Sequence, residues 1–332
     1  MNFDQMLPFI FLLLMAIAIY MYAILDGFDL GVGIILAKDN EGFRNQMIAS
    51  IGPFWDANET WLVLAVGILL IAFPQAHSVI LRELYLPTLV LLIGLILRGV
   101  AFDFRAKAIT QSKRLWDKLF KLGSIMASMA QGFMLGLYVM GFEYSFYSIV
   151  FAILSAICVT AAYAYIGCAW LVVKTEGELQ KFAAQKGRVA GWVTGVGIVS
   201  ICIANPLINP SVFERWFSMP EALLLMLIPI ASATLMFITD RYLKHVPLEK
   251  DLVNWLPYAC ISILFALCMI GLAYSFYPYV IPNQLLAVEA ASAAVSLQFV
   301  FYGVVVVLPI ILAYTFFAYR VFNGKVKPLE YY

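Results

Sequence analysis

The chain has 332 residues, 64% hydrophobic and 12% charged, with a formal net charge of +1 and a mean hydropathy of +0.92. Soluble domains carry about 25% charged residues, so this composition excludes a soluble globular protein and points to an integral membrane protein. The near-neutral charge, without a long basic or acidic tract, excludes nucleic acid as a partner.

Apolar runs long enough to cross about 30 Å of hydrocarbon begin at residues 8–37. This first run lacks a basic n-region and a small-residue cleavage pattern and outlasts a signal-peptide core, so it is expected to stay in the mature protein. It is broken by Asp26-Gly27-Phe28-Asp29. The second run, 47–73, contains Trp55-Asp56-Ala57-Asn58-Glu59-Thr60-Trp61, and the third, 79–104, closes on Phe102-Asp103-Phe104-Arg105. Further runs lie at 119–140, 145–173, 189–206, 221–239, 254–278 and 299–319. The reading is an all-α integral membrane protein of about nine transmembrane helices, folded as a single membrane domain over residues 1–332.

With nine spans, 19 of the 21 basic residues, Lys250 and Lys327 among them, fall in or nearest to one set of loops, leaving Arg82 and Arg215 on the other side. Positive loops stay in the cytoplasm, so the N-terminus is expected outside and the C-terminus inside.

All three polar interruptions lie in the first third of the chain. An ionised carboxylate near a bilayer centre costs roughly 2.5 to 3.5 kcal/mol, so several unpaired ones together would cost on the order of 10 kcal/mol. Arg98 is the one cation well inside a span by this reading. Pairing with it as a counter-ion, protonation, internal water and groups from a partner chain are the ways to offset that cost. Asp26 and Asp29 are three apart, as are Asp56 and Glu59, so each pair shares a helix face and the pairs are free to meet along a polar seam. In the expected orientation these four acids lie in the inner halves of their spans, with Asp103 at the inner end of the third. Carboxylates at graded depth, beside Asn58 and Thr60 as water holders, suit a proton path entered from the cytoplasm. The same acids would also serve as helix-end partners or members of a buried polar network.

The five cysteines (Cys158, Cys168, Cys202, Cys260, Cys268) sit in apolar stretches without C-x-x-C spacing and read as small hydrophobes. Two histidines, His77 and His245, cannot supply buried imidazole pairs to haems or a multi-histidine metal site, and no metal ligand is assigned. Gly27-x-x-x-Gly31, and Ala290-Ala291-Ser292-Ala293-Ala294 before the ninth span, allow close helix approach.

Leu25-Asp26-Gly27-Phe28-Asp29-Leu30-Gly31-Val32-Gly33, followed by Gly52-Pro53-Phe54-Trp55-Asp56-Ala57-Asn58-Glu59-Thr60-Trp61, resembles subunit II of the cytochrome bd quinol oxidases. The compact length and the Ala57-to-Trp61 wording look like the cyanide-insensitive branch, and the similarity runs through Arg98-Gly99-Val100-Ala101-Phe102-Asp103-Phe104-Arg105. The resemblance implies two four-helix bundles plus one helix. It also implies a haem-free subunit of a quinol:oxygen oxidoreductase in the bacterial cytoplasmic (inner) membrane. Its partner would be a subunit I that oxidises quinol and carries b and d-type, or b-type, haems, with lipid, quinol and a small accessory subunit as further partners. Whether this chain binds a quinone stays open. By the same resemblance, Asp103 and Lys107 look like the cytoplasmic mouth of a proton route and Asp56 like its deeper relay. Asp26, Asp29 and Glu59 fall in the matching motifs, and Trp61 looks like a position near an oxygen path, with plain packing as the other reading. The competing classes are a proton-coupled membrane transporter and a purely structural assembly subunit.

Overall fold

The structure is a computed structural model that describes residues 3–107, 110–247 and 253–326, so Lys250 and Lys327 lie outside the described residues. Its helices are α1 (Phe3–Ile34), α2 (Glu41–Ile51), α3 (Trp55–Ala72), α4 (Pro74–Glu83), α5 (Tyr85–Lys107), α6 (Thr110–Val139) and α7 (Phe146–Lys174). They are followed by α8 (Gly177–Ile208), α9 (Pro210–Phe217), α10 (Glu221–Leu225), α11 (Leu227–Lys244), α12 (Leu256–Phe276), α13 (Ala287–Ala290) and α14 (Ala294–Val321). Among the described residues, nine helical segments are long and apolar enough to cross a membrane: α1, α3, α5, α6, α7, α8, α10 with α11, α12 and α14.

The spans α1, α3, α5 and α6 form one four-helix bundle and α7, α8, α11 and α12 a second. They meet where α7 packs against α1 and α6, and α14 lies outside both, against α1. The seam is made of small residues. A Cβ on Gly31 would stand 1.8 Å from the Tyr163 carbonyl oxygen, and one on Gly167 would stand 2.6 Å from the Gly31 carbonyl carbon. The two backbones therefore touch, as lipid-embedded helices do where packing replaces the hydrophobic drive. Gly94 and Gly123 do the same for α5 and α6.

Two span boundaries differ from those read in the sequence. Residues 47–51 belong to α2, a separate helix capped by the Asn40 side chain on the Phe43 amide, and the span begins only at Trp55. Pro53 has no N–H to continue the ladder, which parts the two helices. Likewise 79–83 belong to α4, and α5 starts at Tyr85. The chain is not wholly helical: Tyr279–Ile281 (β1) and Leu285–Leu286 (β2) pair antiparallel between α12 and α14. The hairpin lies outside the apolar runs, where hydropathy carries no signal, while α2 and α4 overlap the starts of the second and third runs, which hydropathy alone does not divide. The ends of α1, α5, α7 and α11 and the starts of α3, α6, α8 and α12 share one end of the molecule. Most basic residues among those described gather there, and we call it the basic end.

Candidate functional site

The polar interruptions converge on a buried cluster in the first bundle, toward its basic end. Arg98 on α5 is fully buried. Its Nη1 lies 2.8 Å from Asp26 Oδ1 and 2.9 Å from Glu59 Oε1, and its Nη2 3.9 Å from Asp29 Oδ2. Its guanidinium carbon stands 5.9 Å from the Trp55 ring centroid, within cation–π range. Asp26 and Asp29, three apart on α1, both face inward at 0% exposure. Helical spacing on α3 sorts the other two acids differently. The Glu59 side chain keeps 31% of its surface, while Asp56, three residues earlier, is exposed. Of the expected seam, Asp26, Asp29 and Glu59 thus come together around Arg98, and Asp56 stands at the surface beside them. Asp103 and Lys107 at the end of α5 are also exposed, and among the described residues neither is bonded to the cluster.

Asn58, also on α3, is fully enclosed and joins the cluster directly. Its Nδ2 donates to Asp29 Oδ2 at 2.8 Å and to the Leu25 carbonyl at 3.3 Å, and its Oδ1 accepts from the Tyr319 hydroxyl at 3.1 Å. Thr60 points outward and bonds the Ala57 carbonyl. On the other side, Gln131 Nε2 donates to the Tyr22 hydroxyl at 2.6 Å and Gln131 Oε1 accepts from Tyr163 at 2.7 Å. The Tyr22 hydroxyl in turn faces Asp26.

Three carboxylates confront one guanidinium, so full ionisation would leave two uncompensated negative charges. Such a set is balanced only when it holds protons or meets cations from outside the chain. Asp29 Oδ1 and Arg98 Nε and Nη2 have no hydrogen-bond partner among the described residues, so the cluster has unused capacity for a proton or an ordered water. Chemically, a set of this kind is able to take up and give up protons in a low-dielectric setting.

Residues 7–322 match the family model described as cytochrome bd terminal oxidase subunit II. The chain belongs to that family. As a bd-type subunit II it is part of an oxidoreductase complex that carries haem and that includes a further subunit. With its nine apolar helices it is a multi-pass membrane protein. Among its relatives is cytochrome bd-I ubiquinol oxidase subunit 2 of Escherichia coli (strain K12), 26% identical over 368 aligned positions covering 97% of this chain and 96% of that one. The cytochrome bd ubiquinol oxidase subunit 2 of Bacillus subtilis (strain 168) is 26% identical, with 96% of each chain covered. In fold, the chain resembles the bd oxidase from Geobacillus thermodenitrificans, with a TM-score of 0.78, 14% identity, and 95% of this chain and 98% of that one covered.

Several polar groups of this bd-type subunit went unread in the sequence. Asp117 on α6 takes Arg44 Nε at 2.7 Å and Arg105 Nε at 2.5 Å, and Arg105 Nη2 also reaches Asn45 Oδ1 at 2.7 Å. This buried clamp ties α2, α5 and α6 together at the basic end. By sequence, Arg44 and Arg105 count only among the basic residues in or nearest to the inner loops, with Arg105 closing the third span. Only the closeness of Asp117 to the basic run around it hinted at pairing. Tyr22, Gln131, Tyr163 and Tyr319 are single polar residues in apolar runs, a pattern that amphipathic belts also produce. Trp61 is 1% exposed, lies in the core with Ala18, Tyr22 and Ala65, and has an indole N–H without a partner among the described residues.

Proposed function

We propose that this chain is the haem-free subunit II of a cytochrome bd-type quinol:oxygen oxidoreductase in the bacterial inner membrane, and that its acid cluster is a section of a proton path from the cytoplasm toward oxygen reduction in subunit I. The observation that carries this reading is the set Asp26, Asp29 and Glu59 around Arg98, buried at the basic end with Glu59 alone partly open. The positive-inside rule puts that end in the cytoplasm. Exposed Asp103, Lys107 and Asp56 would gather protons at the surface, Glu59 would pass them inward, and Asp26 and Asp29 would hold them, with Arg98 stabilising whichever carboxylate is ionised.

The residues present do not fit a haem. His77 lies in α4 at the far end of the molecule. His245 closes α11 at the basic end, exposed, with Nδ1 2.7 Å from the Arg241 carbonyl oxygen. No cluster of three metal-ligating His, Cys, Asp or Glu occurs among the described residues. The haem chemistry is therefore assigned to subunit I, together with quinol oxidation. The family match over 7–322 weighs against the proton-coupled transporter, which the acids alone would equally suit.

The test is turnover of the complex reconstituted in proteoliposomes. Glu59→Gln is expected to slow quinol-dependent oxygen consumption at least about tenfold while haem content and absorption bands stay normal. Unchanged turnover in a normally assembled Glu59→Gln complex would remove the relay.

A further inference from the structure

The last helix reaches the acid cluster through a single hydroxyl. α14 lies outside both bundles, with Leu297 its one buried residue, yet near its end Tyr319 turns inward. Its ring stacks on Phe54 at 4.5 Å and meets Trp170 edge-on at 5.9 Å, and its hydroxyl donates to Asn58 Oδ1. The chain beyond is strapped down. Lys174 at the end of α7 donates to the Phe322 and Gly324 carbonyls, and the Val326 amide returns to the Lys174 carbonyl. Tyr319 is thus held from two sides, by its stacking and by this strap.

Asn58 has one acceptor and two donors. With Tyr319 donating to Oδ1, the amide is turned so that both N–H groups point at oxygen, one on Asp29 and one on Leu25. The flipped amide would aim Oδ1 at Asp29 Oδ2, which is tolerable only if that carboxyl carries a proton to donate. It would also leave the Tyr319 hydrogen and the Leu25 carbonyl without their partners, a costly outcome in a buried site. The hydroxyl therefore chooses the amide orientation, and the orientation favours one charge state of Asp29.

We infer that Tyr319 is a positioning residue for the proton site: by donating to Asn58 it holds the amide in the orientation that stabilises Asp29 as a carboxylate. This deepens the proton-path reading and rests on it for its effect on turnover, but not for its effect on Asp29. The other groups that face Asp29 are Arg98 from α5, Glu59 from α3, Asp26 from α1 itself and the Tyr258 phenol from α12. α6 and α7 act on its neighbour Asp26 through Gln131, Tyr22 and Tyr163.

The experiment is infrared titration of protonated-carboxyl bands in the intact complex, with the Asp29 band assigned as the one lost in Asp29→Asn. Tyr319→Phe keeps the stacked ring and removes the hydroxyl. Its Asp29 midpoint is expected about one pH unit above that of the wild type, since one unit corresponds to a modest hydrogen bond to a charged group. Tyr319→His, which keeps a ring and an N–H donor, is expected to restore most of that shift. If Tyr319→Phe does not assemble, Tyr319→Leu against Tyr319→His carries the same comparison. A midpoint unmoved by loss of the hydroxyl, or moved equally by the histidine variant, overturns the inference. A shifted midpoint with an unshifted pH profile of oxygen consumption upholds the positioning role and removes Asp29 from the proton path.

Discussion

Arg98→Met is the most informative perturbation of the cluster, because it keeps the length and apolar stem of the side chain while deleting the charge. The guanidinium is at 0% exposure and lies within 2.9 Å of both Asp26 and Glu59. Removing one partner of a buried pair costs about 3–5 kcal/mol. The costs at Asp26, Glu59 and Asp29 do not add, because protonating the acids relieves the strain once the cation is gone. A single value of about 3–5 kcal/mol, or two to nearly four orders of magnitude in the ratio of intact to dissociated complex, is the expectation. Asp26 forms the shortest of the three contacts and is fully buried, so Arg98→Met with Asp26→Asn is expected to recover a substantial part of the loss. The assay is thermal dissociation of the purified complex, read from its visible absorption, in the wild type, the single variant and the double variant. A single variant with the wild-type transition, or a double variant no more stable than the single, would refute the counter-ion assignment.

Three further outcomes follow from the geometry. Gly31→Leu would drive a side chain into the Tyr163 carbonyl, where a Cβ already stands at 1.8 Å. The contact is with backbone, so the cost should exceed the about 1–3 kcal/mol usual for overpacking, and membranes should contain little assembled complex by native gel. Asp117→Leu would strand the Arg44 and Arg105 guanidiniums and is expected to destabilise the complex by about 3–5 kcal/mol; in contrast to Glu59→Gln, the fraction that survives should turn over normally. Trp61→Phe removes an indole N–H that bonds nothing among the described residues, so it should cost under about 1.5 kcal/mol and leave oxygen affinity, measured by respirometry, unchanged if the residue only packs.

The membrane class, the nine spans and the family were legible because each rests on long signals: sustained hydropathy, a lopsided distribution of basic residues and two extended motifs. The acid cluster was legible in part. Spacing put Asp26 with Asp29 on one face, and Arg98 stood out as the cation inside a span. Period alone could not tell that α3 turns Glu59 and Asn58 inward while Asp56 faces out, since three residues span about 300° of helix rather than a full turn. Tyr319 was unreadable because its partner lies 261 positions away and a lone tyrosine near a span end is what an interface belt looks like. The Asp117 clamp was hidden for a related reason: loop charges are read as solvated until the fold buries them. The boundary at Pro53 was written in the sequence but masked by the apolar residues on either side of it.

The role proposed for this chain is that of the haem-free subunit of a bd-type oxidase. Its most direct test is to purify the complex gently through a tag on this chain, record its visible spectrum and quinol-dependent oxygen consumption, then separate the subunits and assay each for haem. Haem bands and activity in the complex, with haem recovered on the partner and none on this chain, are the expected result. A colourless, inactive, partner-free protein, or haem retained by this chain alone, would contradict it.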